Sequence, residues 1–154
     1  MDIQQLLQSL LDHRVKFLVI GAWALPAYGY ERMTRDIDIF IEPTEANANK
    51  TIIALKKLGY DVQDLTTETL LRKKILFRQY LLRTDIHPFV AGVSFEEAWK
   101  RRKKTRIKGC NVWVPSLDDL LRMKKAAARG KDKLDVDILN EIRNQLNKRN
   151  RKKS

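Results

Sequence analysis

The stretch Arg35 to Ile41 (RDIDIFI) constrains this chain more than any other. Asp36 and Asp38 alternate with Ile37, Ile39 and Ile41, the period of two that sends side chains to opposite faces of a strand. Such a strand buries its isoleucines and holds two carboxylates side by side on its other face. Like charges at that spacing repel unless a counter-ion relieves them, and hard divalent cations take carboxylate oxygens readily. The same alternation suits a solvated strand face whose partners are neighbouring arginines.

Asp85 is an isolated carboxylate in a second extended run, Arg83 to Val90 (RTDIHPFV). If this run pairs beside the first, three acids converge. Three carboxylates plus substrate phosphates are what one or two Mg²⁺ ions need, with the ions ~3.5–4 Å apart in two-metal sites. Upstream, Lys16 to Ile20 (KFLVI) reads as a buried strand ending at Gly21, where a glycine lets backbone amides approach a phosphate closely. Arg32, Thr34 and Arg35 lie between that turn and the acid pair, and Thr34 has the parity of the acidic face. His87 shares the parity of Asp85 and stands either at the rim of such a site or as a hydrogen-bonded structural residue.

The remaining sequence supplies the elements around this unit. Asp2 caps a helix with apolar residues at Ile3, Leu6, Leu7, Leu10 and Leu11. A helix is expected from Thr44 to about Leu58, stopped at Gly59, then a short strand at Tyr60 to Val62. Lys74 to Leu82 and Arg83 to Val90 read as strands. Ser94 and Glu97 match a capping box for a helix through Trp99, and the basic run to Lys108 followed by Gly109 to Val114 suggests a hairpin. Ser116 and Asp119 start a helix from Leu117 to about Arg129, and Asp132 starts a last one to about Asn147. Trp23, Tyr28, Tyr30 and Phe40 suit either base stacking or the core, the commoner place for aromatics near a buried strand.

A length of 154 residues permits one domain with an appendage, and 44% hydrophobic residues provide for a core. The single cysteine, Cys110, and two histidines, His13 and His87, exclude an intramolecular disulfide and a Cys-rich zinc site. No apolar run approaches the ~20 residues of a membrane span, and the expected location is the cytoplasm. Residues 1–95 hold 12 basic and 11 acidic side chains, whereas residues 96–154 hold 19 and 8. The C-terminal surplus, concentrated in Lys100 to Lys108 and Lys148 to Lys153, favours a polyanionic partner.

Taken together, Gly21-Ala22, the run Gly29 to Asp38 and the string Thr84-Asp85-Ile86-His87-Pro88 resemble the nucleotidyltransferase superfamily with the DNA polymerase β-like fold. The Arg-x-Thr-x-Asp-Ile-Asp string is similar to that of AbiEii-type toxin nucleotidyltransferases, and Asp-Ile-His-Pro to a stretch of lincosamide nucleotidyltransferases. Leu120 to Leu139, with Lys124, Arg129, Lys131, Asp132 and Asp135, resembles the C-terminal element of the AbiEii-type group. Ala22 departs from the pattern, where the family usually has Gly or Ser and a serine would offer a hydroxyl to phosphate.

The resemblance implies an α/β (α+β) fold with a mixed sheet: a nucleotidyltransferase core at residues 1–115, a helical segment at 116–147 packing on it, and a flexible basic tail at 148–154. It implies Mg²⁺-dependent transfer of a nucleoside monophosphate from an NTP such as ATP. Asp36, Asp38 and Asp85 would be the catalytic and metal-holding acids. Gly21, Ala22, Thr34, Arg35, Lys124, Arg129 and Lys131 would contact the nucleotide. The basic C-terminal region favours an RNA (tRNA) or protein acceptor, as for a toxin with an antitoxin partner. A small antibiotic acceptor, or a non-catalytic protein that binds nucleic acid or a partner, are the alternatives.

Overall fold

A computed structural model describes residues 1–31, 34–127 and 130–153, excepting the side chains of 130–135 and 153. Asp2 caps α1 (Ile3–Asp12) through a capping box with Gln5, satisfying two backbone donors at the helix start. β1 (Phe17–Ile20) follows, and then a 3-10 helix, Gly21–Tyr28, ending at Gly29 in the left-handed conformation. β2 (Asp36–Ile41) leads into α2 (Glu45–Lys57), whose N-cap is Thr44. Then come α3 (Thr67–Arg72), β3 (Ile75–Phe77), β4 (Arg83–His87) and α4 (Phe95–Lys100). The hairpin β5 (Lys103–Ile107) and β6 (Cys110–Val114) turns on Lys108 and Gly109, both at positive φ, as a tight two-residue turn requires. Two helices, α5 (Leu117–Ala127) and α6 (Gly130–Lys153), complete the chain, and the bounds of α6 take in residues 148–153 of the basic stretch.

The main sheet has the order β1-β2-β4-β3 and is mixed: β1 and β3 run antiparallel to their neighbours, and β2 lies parallel to β4. Its two faces separate by parity. Ile37, Ile39 and Ile41 of β2 are fully buried in the larger core with α1, α2 and β6, each such side chain gaining about 1.5–3 kcal/mol by leaving water. The opposite face of β2 carries Asp36, Asp38 and Phe40. Phe40 joins a smaller apolar cluster with Leu18, Ile20, Val93, Phe95 and Ala98, its ring edge-on to Phe95 at 5.1 Å. That cluster closes one end of the acidic face, and Leu120, Leu121 and Leu139 carry α5 and α6 onto the larger core.

The architecture is the expected α+β mixed sheet with helices, and several local expectations change. Tyr60 to Val62 form no strand. Tyr60 instead buries its ring edge-on to Phe77 and Tyr80 and shares a 2.9 Å hydrogen bond with Thr84. α3 was not anticipated, and the strand expected over Lys74 to Leu82 is only three residues long. α6 is already helical at Gly130, two residues before the start expected at Asp132. Arg129 and the end expected there for the preceding helix lie outside the described residues. Among the described residues, no helix is long and apolar enough to cross a membrane.

Candidate active site

The parallel pairing of β2 with β4 builds the site by register. Asp36 lies opposite Arg83, Asp38 opposite Asp85 and Phe40 opposite His87, so alternation aims Asp36, Asp38, Arg83, Asp85 and His87 at one face. Facing carboxylates on adjacent strands repel, and each acid here has a cationic or N–H partner. His87 Nε2–H donates to Asp38 Oδ1 at 2.8 Å, and Arg78 donates to Asp85 Oδ1 at 2.8 Å. Arg83 grips both oxygens of Asp36 through Nε and a terminal nitrogen. The side chains of Asp85 and His87 are each 15% exposed and that of Asp38 25%, whereas Asp36, at 45%, stands at the mouth.

These residues line a cleft of about 760 Å³ whose far wall is supplied by Leu120, Met123 and Lys124 of α5 and Leu139 of α6. Lys74 and Arg78 add positive charge beside the acids. One donor atom from each of Asp38, Asp85 and His87 lies within 4.8 Å of the others. Carboxylate oxygens at that spacing fit a hard divalent cation such as Mg²⁺, which binds few protein groups and keeps sites for substrate phosphate. With Lys124 on the facing wall and Lys74 and Arg78 beside the acids, the lining suits a polyphosphate held against a cation.

Gly21, at the end of β1, packs directly on this site. Its φ is +69°, and a Cβ there would lie 2.5 Å from Asp38 Oδ2. Lys124 lines the cleft, but Ala22 is not among its lining residues. Thr34 and Arg35 line a different pocket, of about 720 Å³, with Trp23, Leu82 and Lys108. Thr34 Oγ1 accepts the Asp36 backbone N–H at 3.0 Å, fixing the start of β2, and Arg35 accepts the Arg83 N–H through its carbonyl. Arg129 and the side chain of Lys131 lie outside the described residues. Sequence reasoning passed over Arg78, Arg83 and Lys74. Arg83 was detectable, because it shares the parity of Asp85 and His87, whereas Arg78 follows β3 and reaches Asp85 only through the tertiary fold.

Behind the site, Asp119 ties α5 to α4. Its carboxylate is fully buried and accepts two bonds from Arg101, at 3.0 and 2.9 Å, and one from Arg122 at 2.6 Å. Burial by itself would raise its pKa, but the hydrogen bonds from Arg101, Arg122 and Ser116 together outweigh it and hold the group below the usual carboxylate value. Tyr28, at the end of the 3-10 helix, donates to Pro115 O at 2.6 Å, and burial pushes its phenol well up. These contacts lock the wall that carries Lys124 against the turn that carries Gly21.

A family model described as "Nucleotidyl transferase of unknown function (DUF2204)" matches residues 1–153. Among solved structures, the lincosamide antibiotic adenylyltransferase LnuA with lincomycin bound is similar in fold. Its TM-score is 0.61 at 18% identity, over 92% of this chain and 98% of that one. The antibiotic-resistance factor ANT(2'')-Ia gives a TM-score of 0.59 at 13% identity, over 96% of this chain and 90% of that one. No curated protein matches. At these identities the two structures bear on the fold.

Proposed function

The chain belongs to this nucleotidyl transferase family, and on that footing we propose that it is a Mg²⁺-dependent enzyme that transfers a nucleoside monophosphate from an NTP to an acceptor hydroxyl on RNA, with pyrophosphate as the leaving group. The observation that carries the reading is the cleft in which Asp38 and Asp85 face each other across parallel strands, Asp36 stands at the mouth and Lys124 looks in from α5. Asp36, Asp38 and Asp85 would hold the metal. When bound, Mg²⁺ supplies charge neutralisation at the transferring phosphoryl group. Lys124 meets the triphosphate, with Arg129 and Lys131 as further contacts from the resembling C-terminal element. Gly21 keeps the turn close to Asp38, and Ala22, Thr34 and Arg35 are secondary nucleotide contacts. Asp85 takes the acceptor's proton, a role that suits a carboxylate lining the cleft.

RNA as acceptor is supported by β5, where Lys103, Lys104 and Arg106 are exposed beside Lys108. This strand also reaches the 3-10 helix, Lys103 donating to Ala27 O at 3.1 Å, so the basic strip lies next to the segment that begins at Gly21. Four cations within the six residues 103–108 suit a phosphate backbone. In this reading residues 1–115 form the catalytic core, 116–147 present the cleft's far wall, and 148–154 are a basic tail. The Arg-x-Thr-x-Asp-Ile-Asp string supports an AbiEii-like toxin role in the cytoplasm, paired with an antitoxin. A second reading, a small antibiotic acceptor, draws on the fold shared with the two antibiotic-resistance enzymes.

The test is incubation with each of four labelled NTPs, Mg²⁺ and a pool of total RNA and protein, beside an Asp36→Ala/Asp38→Ala variant. Label entering RNA with the wild type alone is the expected result. Label entering protein, or a lincosamide or aminoglycoside supplied in a parallel reaction, would overturn the RNA acceptor. Absence of transfer to every acceptor would overturn the proposed chemistry.

A further inference from the structure

We propose that His87 is a nitrogen ligand of the divalent cation in this cleft, completing a set with Asp38 and Asp85, and that the site consequently favours a first-row transition ion such as Mn²⁺ over Mg²⁺. The inference rests on the metal-dependent reading of the cleft and amends it, setting His87 where that reading has Asp36 and Mn²⁺ where it has Mg²⁺. Asp36, the first of the paired acids, is the least available of the three: Arg83 occupies both of its oxygens, and it is 45% exposed. His87, by contrast, is only 15% exposed, shares its face with Asp85 and points Nε2 into the acid pair. Arg78 holds one oxygen of Asp85 and leaves the other for a cation.

The distances favour ligation. An octahedral ion with bonds of ~2.1 Å places adjacent donor atoms about 3.0 Å apart. His87 Nε2 and Asp38 Oδ1 are already 2.8 Å apart, and the three donors lie within 4.8 Å of one another. An ion entering there takes the place of the hydrogen that Nε2 now shares with Asp38. The imidazole then coordinates through Nε2 and carries a hydrogen on Nδ1. Imidazole suits transition ions, whereas Mg²⁺ prefers oxygen donors and retains its waters. A mixed nitrogen and oxygen set therefore shifts selectivity away from Mg²⁺.

The full chain, produced with ¹⁵N-histidine and loaded with Mn²⁺ alone, tests this by electron spin-echo spectroscopy. The expected result is a nitrogen coupling to Mn²⁺ that changes with the isotope, in the wild-type protein and without recourse to any variant. In His87→Gln the coupling is lost and Mn²⁺ affinity falls about 10-fold, while Mg²⁺ affinity, read by competition, changes by less than about twofold. Bound Mn²⁺ without histidine nitrogen would overturn the ligand assignment and leave metal-dependent transfer standing. Equal losses for the two ions in His87→Gln would overturn the selectivity. Failure of the wild type to bind Mn²⁺, with or without ATP, would overturn both this proposal and the metal-dependent reading beneath it.

Discussion

Gly21 illustrates how one position is fixed by the side chain it must admit. The sequence suggested a glycine for the close approach of phosphate, but its immediate neighbour in the fold is Asp38, whose Oδ2 lies 2.5 Å from where a Cβ would be. A φ of +69° adds a second reason, since residues with a Cβ adopt it at a cost. Gly21→Ala is therefore expected to destabilise the protein by about 1–3 kcal/mol and to push Asp38 off its contact with His87. If Asp38 holds metal as proposed, its displacement should lower the transfer rate by about 10²-fold. Urea midpoints and single-turnover rates measure the two effects, and an alanine variant with native stability and rate would contradict the packing described here.

Between elements, the connection most exposed to pH is the Asp119 bridge from α5 to α4. Because hydrogen bonding holds its folded-state pKa below the ordinary 3.8, the stabilisation it brings is present above the unfolded pKa and is lost as pH falls through the folded value. Asp119→Ala should cost about 2–3 kcal/mol at pH 7, toward the lower end for a buried pair because Arg101 and Arg122 remain partly solvated. The gap between wild type and variant should narrow as pH falls below the ordinary 3.8, as read by urea unfolding at pH 7 and in acid, and a gap independent of pH would contradict the assignment. Ser116 and Asp119 were legible in the sequence as a helix start; the role of Asp119 toward Arg101 was not, because residues 18 positions apart meet only through packing. The same division runs through the site. Alternation revealed the strands of Asp36, Asp38 and Asp85, since that signal is local. It could not reveal Arg78, nor the direct bond of His87 to Asp38, nor that Thr34 and Arg35 face another pocket, because these depend on register and on how loops return. The sequence of Tyr60 to Val62 suits a short strand, and the burial of Tyr60 against Phe77 and Tyr80 is a tertiary contact that period alone cannot distinguish.

At the scale of the whole molecule the net charge of +12 is unevenly spread, and β5 displays part of it as an exposed strip. Four phosphate contacts from that strip would make RNA affinity fall roughly 50-fold between 50 and 200 mM salt. Lys104→Glu/Arg106→Glu should weaken RNA binding and flatten that salt dependence by about two contacts, as measured by filter binding across the salt series; an unchanged slope would remove β5 from the RNA surface. The parallel pairing of β2 and β4 has a consequence in time as well as in space. His87 and Asp38 are 49 residues apart along the chain, and the connection between their strands must fold as a crossover before the two meet. A nascent chain that has emerged only as far as β2 presents an acid pair without the groups that complete the cleft. The cleft is thus complete only once β4 has joined β2 and α5 and α6 have supplied the far wall.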